Sequence, residues 1–145
     1  MQRSSELLDT YTAMFRDIEG GRMTSVTDFL SSSDAVSAIG SDPNEYWMDR
    51  ATLVPILQAQ FSGFHELGGR FDTSRAVAWT DGNMGMVVDE PTITLDDGRS
   101  VHLRATTVFR KEGGAWKVVH QHASIGVPNE QVEAFRAVES AVAGS

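Results

Sequence analysis

The hydrophobic period of this chain changes once, near residue 65, and that single change restricts the folds open to it. Before the change, apolar residues recur at helical spacing. In "SSELLDTYTAMFRDIEGG" Leu7, Leu8, Tyr11, Met14, Phe15 and Ile18 form one stripe, with Ser5 as a cap and Gly20-Gly21 as the stop. Met23, Val26, Phe29 and Leu30 predict a shorter helix, ended by "SSSD", and "AVSAIG" predicts a short strand. "SDPNEYW" reads as one helical turn: Asp42 accepts from the amide of Glu45, Pro43 comes first, and Glu45 reaches back. In "TLVPILQAQFSGF" Leu53, Ile56, Leu57 and Phe61 share a helical face. With Thr52 as its N-cap, Pro55 falls in the first turn, where no amide bond is lost.

After the change, "RAVAWT", "MGMVVDE", "TITLDDG", "SVHLRATTVFRK" and "WKVVHQHASI" are β-branched and aromatic, separated by Gly-Asn, Asp-Gly and Gly-Gly. Helices followed by a meander predict an α+β fold, with N-terminal helices packed on a strongly curved antiparallel or mixed sheet. A single domain over residues 1–145 is expected, with 129–145 a terminal helix or a frayed tail.

Charge narrows the function. Acidic residues outnumber basic ones 20 to 12 and no Lys/Arg cluster exists, so neither nucleic acid nor an anionic membrane is an expected partner. The absence of cysteine removes thiol nucleophiles, disulfides and zinc-thiolate sites. No apolar run is long enough to span a membrane and "MQRSSELLDT" lacks a signal-peptide core, so a cytoplasmic protein is expected.

The chemistry-bearing residues gather late. In "WKVVHQHASIGVP" strict alternation puts Trp116, Val118, His120, His122 and Ser124 on one side, and Lys117, Val119, Gln121, Ala123 and Ile125 on the other. Neither side is cleanly polar, so one is expected to face the helices and the other a second copy of the chain. His120 and His122 would need a third ligand to hold a metal, and nothing places His65 or His102 beside them. No metal or cofactor is therefore expected. Arg104, amid "HLRATTV", is expected to be partly buried and paired with Glu45, Asp89 or Glu90, while Asp89-Glu90 reads as the solvated end of a strand.

"RATTVFRKEGGAWKVVHQHAS", preceded by "GSDPNEYW", resembles the nuclear-transport-factor-2-like superfamily, also called SnoaL-like or ketosteroid-isomerase-like. The motif is Arg-x-Thr, a charged glycine-containing turn, then Trp-x-x-x-His-x-His-x-Ser. This ending is also similar to the association domain of calmodulin-dependent kinase II. The resemblance implies a conical pocket lined by helices and a homodimer through the outer sheet face. It places Trp47 near the pocket, lines it around Thr107, Gln121 and Ala123, and turns His120 and His122 toward the dimer. A four-residue "KEGG" turn pairing Phe109 with Trp116 instead puts Thr107 beside the histidines, unless a bulge near Gly113-Gly114 intervenes. Both orientations stay open at this level.

The superfamily hosts isomerases, cyclases, dehydratases, hydrolases and assembly modules. An isomerase would match Tyr11 and, loosely, Asp42, yet "VHLRATTVF" lacks the carboxylic acid donor. Without the resemblance, Tyr11 is a core residue and Asp42 a cap. A cyclase would carry aspartate where "VHQHAS" has histidine, which as a neutral imidazole can act as base. The epoxide-hydrolase arrangement would need Arg104 with Asp89 or Asp42. The leading expectation is a dimeric module binding a small hydrophobic ligand, with Tyr11, Trp47, Arg104, Thr107, His120, Gln121 and His122 as candidate pocket residues. The alternative is a cofactor-independent isomerase, cyclase or dehydratase. Two titratable side chains meeting at the pocket would favour the enzyme.

Overall fold

In the computed structural model, which describes residues 1–144, the chain runs β1 (Gln2–Arg3), α1 (Ser5–Glu19), α2 (Thr24–Phe29), β2 (Ser37–Ile39), β3 (Tyr46–Trp47), α3 (Arg50–Glu66) and β4 (Arg70–Asp72). It continues through β5 (Val77–Asp81), β6 (Met84–Asp89), β7 (Thr92–Thr94), β8 (Ser100–His102), β9 (Arg104–Glu112) and β10 (Ala115–Ser124) to a 3-10 turn, Asn129–Gln131, and α4 (Glu133–Ala143). Ser145, the last residue of the expected domain and tail, lies outside the described residues. A seven-stranded, strongly curved sheet has the order β1-β5-β6-β9-β10-β2-β3, and β4-β7-β8 form a second, three-stranded sheet. Every pairing is antiparallel except β10 with β2. The class is α+β.

The helical stripe of α1 becomes the floor of the core. Leu7, Tyr11, Met14, Phe15 and Ile18 are buried and share one cluster with Val87, Phe109 and Val118 of the sheet. Phe71 of β4 stacks between Phe15 and Phe64, at 4.4 Å from each ring, closing the cone at its side.

Local signals shift by small amounts. The cap of α1 is Ser4, not Ser5: its Oγ accepts from the Leu7 amide at 3.1 Å. α3 starts at Asp49, not Thr52, because Asp49 accepts both the amide and the hydroxyl of Thr52. Pro55 therefore lies beyond the first turn. It is tolerated because it and Ala51 are exposed, leaving the freed Ala51 carbonyl to water. "SDPN" is a hairpin turn joining β2 to β3 rather than a helical one. Asp42 takes the Asn44 amide at 2.8 Å, while Glu45 does reach back to the Asp42 amide at 3.0 Å.

The largest correction concerns β10. The β9–β10 turn is the two residues Gly113-Gly114, both at positive φ, so Trp116 pairs with Lys111 and not with Phe109. The register then slips between Val118 and His120, leaving Val119 as the extra residue of a bulge. The bulge is five residues past the glycines. It ends the strict alternation: Trp116 and Val118 face inward before it, Gln121 and Ala123 face inward after it, and Thr107 lies opposite Gln121.

A polar latch fixes the segment before β2 to this hairpin. Ser31, fully buried, donates to Glu112 at 2.5 Å; Arg110 donates to Glu112 at 2.8 Å, and Arg50 donates to the Ser31 carbonyl at 2.9 Å. The Ser31 hydroxyl first, then Arg110 and the Ser32 amide, hold the Glu112 carboxyl at about 2 against an ordinary 4.5. A depressed carboxyl stabilises the fold above its unfolded pKa and loses that contribution as pH falls through the folded one. Glu112→Gln is therefore expected to melt below wild type at pH 6. The gap should close as pH falls from about 4.5 toward 2, measured by thermal denaturation across that range.

Candidate functional site

Between α1, α3, the β2–β3 hairpin and the inner sheet face lies a cavity of about 170 Å³. Its wall is largely apolar, with Phe15, Trp47, Leu57, Phe61, Phe71, Ile93 and Leu103. The polar groups reaching it are Tyr11, Gln121 and, at the rim, Ser41 and Glu45 of the hairpin and Gln60 of α3. A second void of about 30 Å³ lies alongside, sharing Phe15, Leu57, Phe61 and Gln121.

Each of these side chains is placed by its element. Trp47 sits on β3 opposite Ala38, and the tight β2–β3 turn turns its ring onto the cavity rather than to solvent. That turn demands glycine at position 40, where a Cβ would come within 2.7 Å of the Glu45 side chain. Gln60 of α3 donates to Glu45 at 3.0 Å, joining helix and hairpin at the rim. Gln121 donates to the Thr107 hydroxyl at 3.2 Å, so the buried Thr107 is satisfied across two strands.

The polar centre of the inner face is a pair that sequence reading divided wrongly. The Tyr11 hydroxyl, fully buried in the middle of α1, donates to Asp89 Oδ2 at 3.0 Å. Asp89 is 3% exposed, not the solvated end of a strand, and its other oxygen accepts the Glu90 amide at 2.8 Å. Burial raises the Asp89 carboxyl above its ordinary range, against the lowering effect of the two hydrogen bonds. Burial likewise pushes the Tyr11 hydroxyl far up, and the Asp89 charge adds to it. Asp89 stands on the strand adjacent to "VHLRATTVF", where it pairs with Ala105. Gly85, Val87 and Asp89 alternate as the buried face of β6, a choice of face that the run "MGMVVDE", with Met84, Met86 and Val88 on its other side, does not show.

Other candidates stand elsewhere. Arg104, His120 and His122 lie on the outer face, around an open groove of about 500 Å³ with Val88, Thr106 and Ser124. Arg104 is exposed, contrary to expectation, and makes no ion pair among the described residues. Its expected partner Glu90 is held by Arg75 at 2.7 Å. His120 Nδ1 is 2.8 Å from the Ser37 hydroxyl, and burial first, then the neighbouring His122, lower its pKa. Asp42 is committed to its turn. His65 Nδ1 lies 2.8 Å from the Glu19 carbonyl and His102 Nδ1 lies 2.9 Å from the Thr92 hydroxyl, each at a site of its own. Among the described residues no three His, Asp or Glu side chains gather as a metal would require.

The comparisons with known proteins agree on the fold. A model described as the SnoaL-like domain matches residues 6–128. A nuclear-transport-factor-2-like protein of unknown function from Pseudomonas putida KT2440 superposes with a TM-score of 0.71 at 15% identity, over 88% of this chain and 89% of that one. A proposed calcium/calmodulin-dependent protein kinase II association domain from Xanthomonas campestris gives 0.67 at 16%, over 87% and 95%. A proposed dehydratase of the nuclear-transport-factor-2-like family from Streptomyces avermitilis gives 0.66 at 18%, over 85% and 95%. At these identities the likeness is one of fold. Among curated proteins, none matches this chain.

Removing the Tyr11 hydroxyl tests the buried pair. Asp89 is raised by burial, so its charged form weakens the fold above its folded pKa, and the Tyr11 hydrogen bond relieves that cost. Tyr11→Phe is expected to lose about 1–3 kcal/mol at pH 7, where the carboxylate is left short of a donor. The loss should shrink in acid as Asp89 takes a proton. Urea denaturation of both proteins at pH 7 and pH 4 measures it.

Proposed function

The chain belongs to the SnoaL-like domain family, within the nuclear-transport-factor-2-like superfamily, and from that premise we propose that it binds a small, largely apolar molecule in the inner cavity. The reading takes residues 1–145 as one domain that acts as a homodimer through its outer sheet face. The observation that carries it is the cavity itself: apolar on most sides, with Tyr11 and Gln121 as its deep polar groups. Pockets that hold small molecules have this composition, an apolar wall and a few polar groups that fix orientation.

Volume sets the ligand's size. A cavity of about 150 Å³ accepts one benzene ring, and the 170 Å³ here favours a single ring or a short branched chain over a fused polycycle. Trp47 would stack against it. Burying about 100 Å² of apolar surface there contributes roughly 2.5 kcal/mol before ordering costs. A carbonyl or hydroxyl on the ligand would meet Tyr11 or Gln121. The homodimer is supported by the similarity to association-domain-like proteins and by half-exposed Met84 and Val88 on the outer face.

A second reading, a cofactor-independent isomerase, cyclase or dehydratase, has its own support in the Tyr11–Asp89 hydrogen bond. With Asp89 neutral, its hydroxyl donates a hydrogen bond to the Tyr11 oxygen and leaves the Tyr11 hydrogen free for a developing oxyanion in the cavity. Glu45, at the rim, is the carboxylate available as proton acceptor.

Two measurements separate these readings. In a thermal-shift screen of single-ring ketones and acids, hits should stabilise wild type and lose most of their effect on Trp47→Ala. Equal stabilisation of both would make Trp47 a packing residue only. For the enzyme, α-protons of a bound ketone should exchange in D2O, followed by proton NMR. The exchange should slow by about a hundredfold in Tyr11→Phe, the size of effect one oxyanion donor has; no exchange in wild type leaves binding alone. Light scattering tests the dimer against the 15.8 kDa monomer.

A further inference from the structure

The apolar stripe of α3 is incompletely covered by its own chain. Leu53, Leu57 and Phe61 follow one another at four-residue spacing, each about 6 Å further along the helix axis. Leu53 is buried, whereas Leu57 and Phe61 are only half-buried, although both pack against the core cluster. What they face is space. Leu57 and Phe61 border both the main cavity of about 170 Å³ and the smaller void of about 30 Å³. Of the two, Leu53 borders only the small void, and Gln60, at the rim, only the main cavity. The spaces therefore follow each other along α3, with the small void toward the helix N-terminus and away from the rim.

Water fills that void poorly. A space of 30 Å³ has room for about two water-sized groups, at roughly 10–15 Å³ for each. A buried water also needs about two to four polar partners. Among the described residues Ser37 and Gln121 are the polar side chains on this wall, and both are engaged. The Ser37 hydroxyl is 2.8 Å from His120 Nδ1, and the Gln121 amide donates to Thr107. A dry void forfeits dispersion contacts along its lining, and an apolar group that enters it restores them.

Gln121 stands where the two spaces meet, since it lines both. One hydrogen of its amide goes to Thr107, which leaves the second hydrogen and the oxygen for a ligand. We propose that the small void is a tail subsite, so that the ligand is a single ring joined through one oxygen-bearing carbon to a short unbranched chain, as in an aryl alkyl ketone. The inference rests on the binding reading above. The ring lies against Trp47 and the oxygen meets Gln121. The tail has about three carbons, one at the junction and two in the small void.

The chain length of the best ligand tests this. Calorimetric titration of the full chain with phenyl ketones, from acetophenone to hexanophenone, is expected to show an optimum at butyrophenone. The dissociation constant should fall about fourfold for each of the first two carbons added, the effect of burying one methylene, and rise again for the longer ketones. Val118 lines the small void and not the main cavity, so substitutions there should move the optimum. Val118→Ile, which lengthens the wall side chain, should move it to propiophenone. Val118→Ala, which shortens it, should move it to valerophenone or hexanophenone. Either variant suffices if the other fails to fold. The proposal is overturned if affinity does not rise from acetophenone to butyrophenone, or if the optimum is unmoved in a folded Val118 variant. In both cases the ring site stands, because acetophenone still binds, whereas a series in which no member binds ends the binding reading and the tail subsite together.

Discussion

One inserted residue in β10 governs what the inner face of the sheet presents. Ahead of Val119 the strand contributes Trp116 and Val118 to the core; behind it the same face carries Gln121 and Ala123, and the histidines turn outward. A strand has a period of two, so adding one residue to one strand of a pair exchanges its faces beyond that point. Without the bulge, His120 and His122 would stand opposite α1, where two imidazoles would need partners that the apolar cluster does not offer. With it, His120 reaches Ser37 on the outer side and the cavity keeps its apolar wall.

That wall gives the Tyr11–Asp89 pair its character. A carboxyl surrounded by the side chains of α1, β6 and β9 loses hydration, and its pKa rises even though two donors reach it. Tyr11 is at once a core residue and a polar one, its ring in the apolar cluster and its hydroxyl on Asp89. The pair is satisfied and buried, which rigidifies the junction of helix and sheet beside the cavity.

The two faces of the sheet present different side chains. The inner face carries the cavity; the outer one collects the groove with Arg104, His120 and His122, and the chain departs toward α4 from its edge.

Helix and strand periodicities were largely legible because they are local: the stripe of α1, the face of α3 and the strand-like runs stand where the pattern puts them, except that "SVHLRATTVFRK" divides into β8 and β9 in different sheets and the short strands β1, β3 and β4 were not foreseen. The resemblance in residues 41–47 and 104–124 extended this to the superfamily and to Trp47 and Gln121 beside the cavity. Cap positions moved by one to three residues, from Ser5 to Ser4 and Thr52 to Asp49, since several neighbours offer the same side-chain oxygen and only the final φ and ψ choose. Asp89 and Arg104 exchanged their expected environments, Asp89 becoming buried and Arg104 exposed. Sequence alone shows that a residue alternates with its neighbours; it does not show which alternate faces a helix 78 positions away. That choice, and the bulge that reverses it along β10, is made when non-local strands pair and the apolar side closes against α1. The sequence by itself determined most of the helices and strands through their local periods, and the tertiary structure decided which of their faces is inside and where short edge strands such as β3 form.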